Sequence, residues 1–331
     1  MRMILLCEDH NLVFEVYTDN ILSELAQYGL EKKAYKKEDI INGDFSDVEY
    51  IFSTWGMAYF TEEEIKRFLP NLKCIFYAAG TVRGFASTFL NCGVKVFSAW
   101  AANAVPVSEF TVAQIVLANK GYFKVSQFMK KKEYGLAKEE APKYAGNYGT
   151  KIGIIGAGMI GKNAIKLMKS YKFNIMVFDP FLSDEDAEAL GVKKVSLEEI
   201  FTECDVVSNH LANNEQTKNM LTYDLFSKMK PYSSFVNTGR AAQVEEDGFI
   251  KALKERPDIS AIIDVYWQEP LPVESPLYEL DNCFLTPHIA GVACVNEYER
   301  LSEYMLNEFK CFIDGGPCKY EVTQKMLETM A

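Results

Sequence analysis

Residues 152–161 read Ile-Gly-Ile-Ile-Gly-Ala-Gly-Met-Ile-Gly. A short apolar run ends in Gly156, Gly158 and Gly161, and helix-forming sequence follows. Asp179 closes the next apolar run, 18 residues past Gly161. Strand, glycine turn, helix start and carboxylate come in the order that seats a dinucleotide. The turn lets backbone approach a pyrophosphate, the first helical N–H groups face it, and the acid takes a ribose hydroxyl. Glycines after a strand also serve plain turns, and Asp179-Pro180 alone would initiate one. The strand before, the helix after and the spaced acid favour the dinucleotide. No Arg or Lys follows Asp179 closely to hold a 2′-phosphate, which favours NAD over NADP.

Outward from this stretch, the chain has 331 residues, enough for about two domains. Apolar residues make up 48% and charged residues 24%, as in globular proteins. A net charge of −11 argues against nucleic acid as a main partner. No run reads as long enough to span a membrane, so no membrane partner is expected. The apolar start, Met1 to Cys7, meets Glu8 and Asp9 at once and reads as a strand, not a signal peptide. Eight cysteines lie scattered without a Cys-x-x-Cys pair, beside three histidines. No metal site is expected, and a reducing cytoplasmic setting is the simpler reading.

Strand and helix alternate almost throughout. Residues 3–6, 50–53, 74–78 and 95–98 read as buried strands, as do 151–155, 175–178, 205–208, 234–237, 260–264 and 283–285. Helix 61–68 opens on a capping box, Thr61 with Glu64, and Pro70 follows its end. This alternation predicts an α/β fold with parallel sheets covered on both faces. Long helices at 104–120, with Pro106 in its first turn, and at 293–313 read as crossovers between domains. The first domain is then discontinuous, 1–101 plus 294–331, and the second is 102–293. A lysine-rich polar stretch, Lys130 to Gly149, precedes the glycine turn.

Ligands of open parallel sheets bind beyond the carboxyl ends of the strands. In the second half those ends carry the glycine turn, Asp179, Asn209 with His210, Asn237-Thr238-Gly239-Arg240, Asp264 with Glu269 nearby, and His288. Each has a plain reading: Arg240 as a surface charge, Glu269 as a solvated loop acid, His288 as a core histidine. Together they match what reduction of a 2-keto acid needs. A planar cation binds the carboxylate and polarises the ketone. Histidine donates a proton near neutral pH, and a neighbouring carboxylate fixes its tautomer.

Four ordered motifs carry a resemblance over nearly the whole chain. They are Gly-Ala-Gly-Met-Ile-Gly at 156–161, Val-Asn-Thr-Gly-Arg-Ala at 236–241, Asp-Val-Tyr-Trp-Gln-Glu-Pro at 264–270 and Thr-Pro-His-Ile-Ala-Gly at 286–291. The chain resembles the D-isomer-specific 2-hydroxyacid dehydrogenases. The resemblance implies a Rossmann nucleotide-binding domain, a flavodoxin-like substrate domain and an NAD-dependent oxidoreductase of small 2-keto or D-2-hydroxy acids, of glyoxylate or hydroxypyruvate type. It implies that Arg240 binds substrate, His288 is the acid–base group and Glu269 pairs with it. NAD would contact Gly156, Gly158, Met159, Ile160, Gly161, Asp179, Pro180, Asn209, His210, Thr217, Asn237, Thr238, Gly239, Asp264 and Gly291. Ala79, Gly80 and Thr81 would offer backbone to the substrate carboxylate. A homodimer built through the nucleotide domain is also implied.

Some positions depart from the family pattern. The usual His-x-Pro reads His210-Leu211-Ala212, so that loop is expected to be more flexible or more polar. The substrate loop ends in Arg83, which either meets a second anionic group or makes an ordinary surface contact. Trp55, Met57 and Tyr59 either cover substrate or simply pack. Glu269 argues against formate, whose branch has an amide there. One branch of the family resembles a nucleotide-sensing corepressor or scaffold, and that reading stands as the alternative.

Overall fold

The computed structural model describes residues 1–327. Its strands are β1 (Arg2–Leu6), β2 (Leu30–Tyr35), β3 (Val48–Ser53), β4 (Cys74–Tyr77), β5 (Lys95–Ser98), β6 (Tyr148–Ile155), β7 (Lys172–Phe178), β8 (Lys193–Lys194), β9 (Val206–Asn209), β10 (Ser234–Asn237), β11 (Ser260–Ile263), β12 (Cys283–Leu285) and β13 (Glu321–Val322). They form two sheets in two compact units. One unit comprises Met1–Asn103 and the segment from Val292 on; the other is Ala104–Gly291. The first boundary falls inside the helix Trp100–Ala118 and the second just before the helix Val295–Ile313.

The first sheet runs β13-β5-β4-β3-β1-β2, parallel except for β13. Without that edge strand the order is 2-1-3-4-5, a doubly wound arrangement of flavodoxin type. Period-two alternation splits each strand between two cores. Phe52, Phe76 and Phe97 lie in register on β3, β4 and β5 and stack with centroids 5.1 and 5.0 Å apart. Phe309 of the helix Val295–Ile313 meets Phe52 and Phe76 edge-on at 5.4 and 5.5 Å. Ile51, Ile75 and Val96, one residue away on the same strands, face the opposite core.

The second sheet runs β12-β11-β10-β9-β6-β7-β8, all parallel. In its own order this is 3-2-1-4-5-6 with one added strand, the Rossmann arrangement. The order of strand addition reverses between β6 and β9, so the glycine turn and His210 flank the topological switch point.

Three strands escape the sequence reading. β2 reads Leu-Glu-Lys-Lys-Ala-Tyr, with Glu31, Lys32 and Lys33 exposed at the sheet edge. Such an edge strand lacks the apolar run of a central one. β8 and β13 are two residues each. The lysine-rich stretch 130–149 contains the helix Tyr134–Glu140. The expectation that no run is long enough to span a membrane also needs correction. Trp100–Ala118 is 19 residues long with mean hydropathy 1.3, and starts four residues earlier than expected, which puts Pro106 in its interior. It is apolar because over half of it is buried in protein, including Val112, Ile115 and Ala118 in the second unit's core.

Candidate active site

The glycine turn is built by close approaches. Gly156 has φ +92, and a Cβ there would lie 2.6 Å from the His210 carbonyl oxygen. A Cβ on Gly161 would lie 2.1 Å from the Gly156 oxygen, so the helix Met159–Met168 can begin here only without side chains. Above Gly158 there is open space, and no side chain caps the helix. The N–H groups of Gly158, Met159 and Ile160 meet no acceptor among the described residues. Asp179 braces the turn: Oδ2 accepts from Ala157 N at 2.6 Å and Oδ1 from Phe181 N at 2.7 Å, around Pro180. Across the switch point the His210 ring is buried; its Nε2 meets Ser208 Oγ at 2.9 Å and its Nδ1 has no partner. Burial lowers its pKa to about 4.

Next along the strand ends lies a buried amide network. Asn209 Nδ2 donates to Asn237 Oδ1 and Gln243 Oε1 at 3.1 and 3.2 Å. Asn237 Nδ2 donates to the Arg240 carbonyl, and its Oδ1 accepts from Gly239 N. Asn209, Asn237 and Gln243 are essentially inaccessible, so their amides shape the loop that presents Arg240. Thr238 Oγ1 meets Thr111 Oγ1 at 2.8 Å, which ties the loop to the helix Trp100–Ala118. The Ala212 carbonyl, where the family's proline is missing, accepts from Gln243 Nε2 and Thr217 Oγ1. That loop is polar and tethered.

Arg240 precedes a three-residue 3-10 turn, too short to exert a dipole argument. Its guanidinium is largely desolvated, which lowers its pKa, while Glu269 nearby opposes the shift. Its one hydrogen bond is to the Gly239 carbonyl, and no carboxylate pairs with it among the described residues.

His288 stands in the left-handed region at φ +56, which costs a non-glycine residue about 1 kcal/mol or more. Asp264 holds it there. This carboxylate, 1% exposed, accepts from Thr286 Oγ1 at 2.6 Å, Ile289 N at 2.9 Å and Ala290 N at 2.8 Å, the residues either side of His288 and just before Gly291. Tyr266 Oη donates to the Thr286 carbonyl at 2.7 Å. His288 Nδ1 lies 2.8 Å from Glu269 Oε2, and Glu269 Oε1 accepts from Tyr266 N. The imidazole is half exposed, and its Nε2 meets no partner among the described residues.

In the first unit, Ala79 and Gly80 follow β4. Ser98 Oγ donates to both carbonyls, at 2.8 and 2.6 Å. This turns the N–H groups of Gly80 and Thr81 away from acceptors among the described residues. Arg83 Nε donates to the Leu327 carbonyl. Trp55 and Met57 pack against the cores, Trp55 lying 6.3 Å from Tyr298, whereas Tyr59 is exposed.

A family model described as the NAD binding domain of D-isomer specific 2-hydroxyacid dehydrogenases matches residues 112–290. The chain belongs to this family. Among curated relatives, it is similar to a D-3-phosphoglycerate dehydrogenase of Archaeoglobus fulgidus, 32% identical over 60% of this chain and 37% of that one. It is also similar to a glyoxylate reductase of Thermofilum pendens, 28% identical over 77% of this chain and 76% of that one. The chain spans only 35 to 58% of the length of several such relatives. Apo D-mandelate dehydrogenase of Rhodotorula graminis has the same fold, with a TM-score of 0.81 at 22% identity over 98% and 97% of the two chains.

The second unit is thus an NAD-binding domain, and its residues fit the cofactor. The free N–H groups at 158–160 under an open glycine suit a pyrophosphate. Asp179 keeps lone pairs for ribose hydroxyls, since each oxygen accepts only one bond.

The sequence reading missed Thr111, Gln243, Tyr266 and Thr286 as supports of these loops. Thr286 alone left a signal, two residues before His288 at a strand end. His210 generates a pH prediction. The folded chain keeps this imidazole neutral between the usual 6.5 and about 4, where the unfolded chain binds a proton. Stability is therefore full above that window and falls as pH drops through it. Urea unfolding of wild type should lose about 2 kcal/mol more than His210→Gln between pH 7 and 5. Equal losses would mean the ring is not held neutral.

Proposed function

We propose that the chain is an NAD-dependent dehydrogenase that interconverts a small 2-keto acid, of glyoxylate or hydroxypyruvate type, with its D-2-hydroxy acid. The observation that carries this reading is Arg240: a desolvated guanidinium without a carboxylate partner, within electrostatic range of a Glu269–His288 pair. A largely desolvated cation that meets no counter-charge is costly unless an anion arrives. The glyoxylate reductase relatives support the substrate class.

The proposed roles follow from the atoms. Gly156, Gly158, Met159, Ile160, Gly161 and Asp179 hold NAD, whose nicotinamide supplies or takes the hydride. Arg240 grips the substrate carboxylate with two parallel N–H bonds and draws electron density from the ketone oxygen. His288 presents Nε2 to that oxygen and moves the proton. Glu269 accepts from Nδ1–H, which fixes the tautomer and orients the ring. The Gly80–Thr81 turn offers free N–H groups of the kind that hold a carboxylate. Asp264 positions His288 through the loop it anchors.

NADH oxidation with a panel of 2-keto acids tests the reading. Wild type should turn over at least one small member. His288→Ala should lose about 10²-fold or more in kcat while NADH affinity stays within a few-fold. Arg240→Lys should raise KM and lower kcat together, since charge remains and the fork is lost. Tight NADH binding with no turnover on any acid would assign the chain to nucleotide sensing instead. Asp179→Ala should erode the preference for NADH over NADPH by about tenfold, one lost charged hydrogen bond; an unchanged ratio would place the ribose contact elsewhere.

We also propose a homodimer through the second unit. Tyr122, Met129, Tyr134 and Leu136 are about half exposed or more on the adjacent helices Tyr122–Lys130 and Tyr134–Glu140, the first of which has no buried residue. Sedimentation should show a dimer that Leu136→Asp dissociates. A monomeric wild type would refute it. The eight free thiols support a reducing cytoplasmic setting.

A further inference from the structure

Cys311-Phe-Ile-Asp-Gly-Gly-Pro-Cys318 spans the end of the helix Val295–Ile313 in the first unit. The chain folds back over that last turn. Gly315 takes φ +69, and Gly316 N donates to the Cys311 carbonyl at 2.8 Å. Glu308, one turn before Cys311 on the same helix face, pins the returning strand: its nearly buried carboxylate accepts from Lys319 N and Tyr320 N at 3.0 and 3.1 Å. Cys318, between these anchors, has its Sγ 3.8 Å from the Gly316 oxygen and 3.9 Å from the Glu308 oxygen. Cys311 Sγ borders the same glycine, only 2.9 Å from where a Cβ on Gly316 would stand. Both sulfurs thus lie against Gly316, and Cys311 is among the groups that raise the Cys318 thiol pKa. A groove of about 310 Å³ lined by Tyr304, Glu308, Cys311, Pro317 and Lys319 opens Cys311 to solvent beside Cys318.

We propose that Cys311 and Cys318 form a redox-modification site, a dithiol that closes reversibly to a disulfide when it meets a low-molecular-weight disulfide. Neither cysteine has a place in the proposed hydride chemistry. The Cys311 thiolate attacks one sulfur of the oxidant, whose other half leaves as a thiolate. Cys318 then loses its proton to that leaving thiolate and attacks Cys311 sulfur, releasing the second half as a thiolate that takes up the proton Cys311 gave up on ionising. Two protein thiols are oxidised to one disulfide, and one small disulfide is reduced to two thiols. Burial holds Cys318 at a pKa of about 12, so ring closure should quicken as pH rises. Cys74 is fully buried in this region with its own thiol pushed up to about 12, and Cys294 is exposed elsewhere in the unit; both serve as internal comparators.

Glutathione disulfide is the probe, and the full chain is treated with it under native conditions. Trypsin then releases Cys311–Lys319 as one peptide carrying both cysteines. The expected product is that peptide, unadducted, two hydrogen masses lighter, and restored by dithiothreitol. In Cys318→Ser the Cys311 peptide should instead keep a stable glutathione adduct. Three results overturn the proposal: the peptide stays reduced while Cys294 is glutathionylated, wild-type Cys311 carries a glutathione that never resolves, or the crosslink runs to Cys74.

Discussion

The buried Asp264 carboxylate is the interaction on which the arrangement at the sheet edge rests. Three donors from one loop, Thr286 Oγ1 and the amides of Ile289 and Ala290, converge on its two oxygens. Such charge-assisted bonds are roughly twice as strong as neutral ones. Together they exceed the cost of the left-handed backbone at His288. Without that anchor the loop would relax toward ordinary φ, and the imidazole would leave Glu269. The strain at His288 is held by an acid at the end of the preceding strand, through bonds to its neighbours Thr286, Ile289 and Ala290.

A second layer of support follows the same logic with neutral groups. Asn209, Asn237 and Gln243 exchange hydrogen bonds in a space closed to water. A buried amide network of this kind is rigid because any single break leaves a desolvated polar atom. Its output is the position of Arg240. Gly156 adds a steric term, since its missing side chain lets the β6 turn rest on the His210 carbonyl. The nucleotide turn, the Arg240 loop and the His210 strand are therefore coupled by direct contact across the switch point.

The sequence disclosed what depends on local pattern. Strand–helix alternation and apolar runs made both doubly wound sheets legible, and the glycine spacing placed the tight turn before the helix Met159–Met168. It hid what depends on edges and on long-range pairing. β2 was missed because an edge strand can carry exposed charges in its middle, as Glu31, Lys32 and Lys33 do. Pro106 was read as a helix start because a proline is usual there, yet the helix runs through it. Asn209 and Asp264 stood in the sequence as ligand candidates at strand ends. Their burial, which turns them toward the protein, exists only once the loops of residues 237–243 and 286–290 have folded over them.

Burial also separates two charges that look alike on paper. Asp264 and Arg240 both follow strands of one sheet, and both are withdrawn from water. Asp264 finds three donors within its own chain, which use most of its accepting capacity. Arg240 finds one carbonyl, leaving most of its five N–H groups without acceptors. A desolvated charge satisfied internally fixes a structure; one left unsatisfied stores the free energy that a ligand of opposite charge releases on binding. Sequence position cannot tell these apart, because both residues obey the same rule about strand ends. The difference lies in the count of partners, and that count is why the proposed contact to an external carboxylate falls on Arg240.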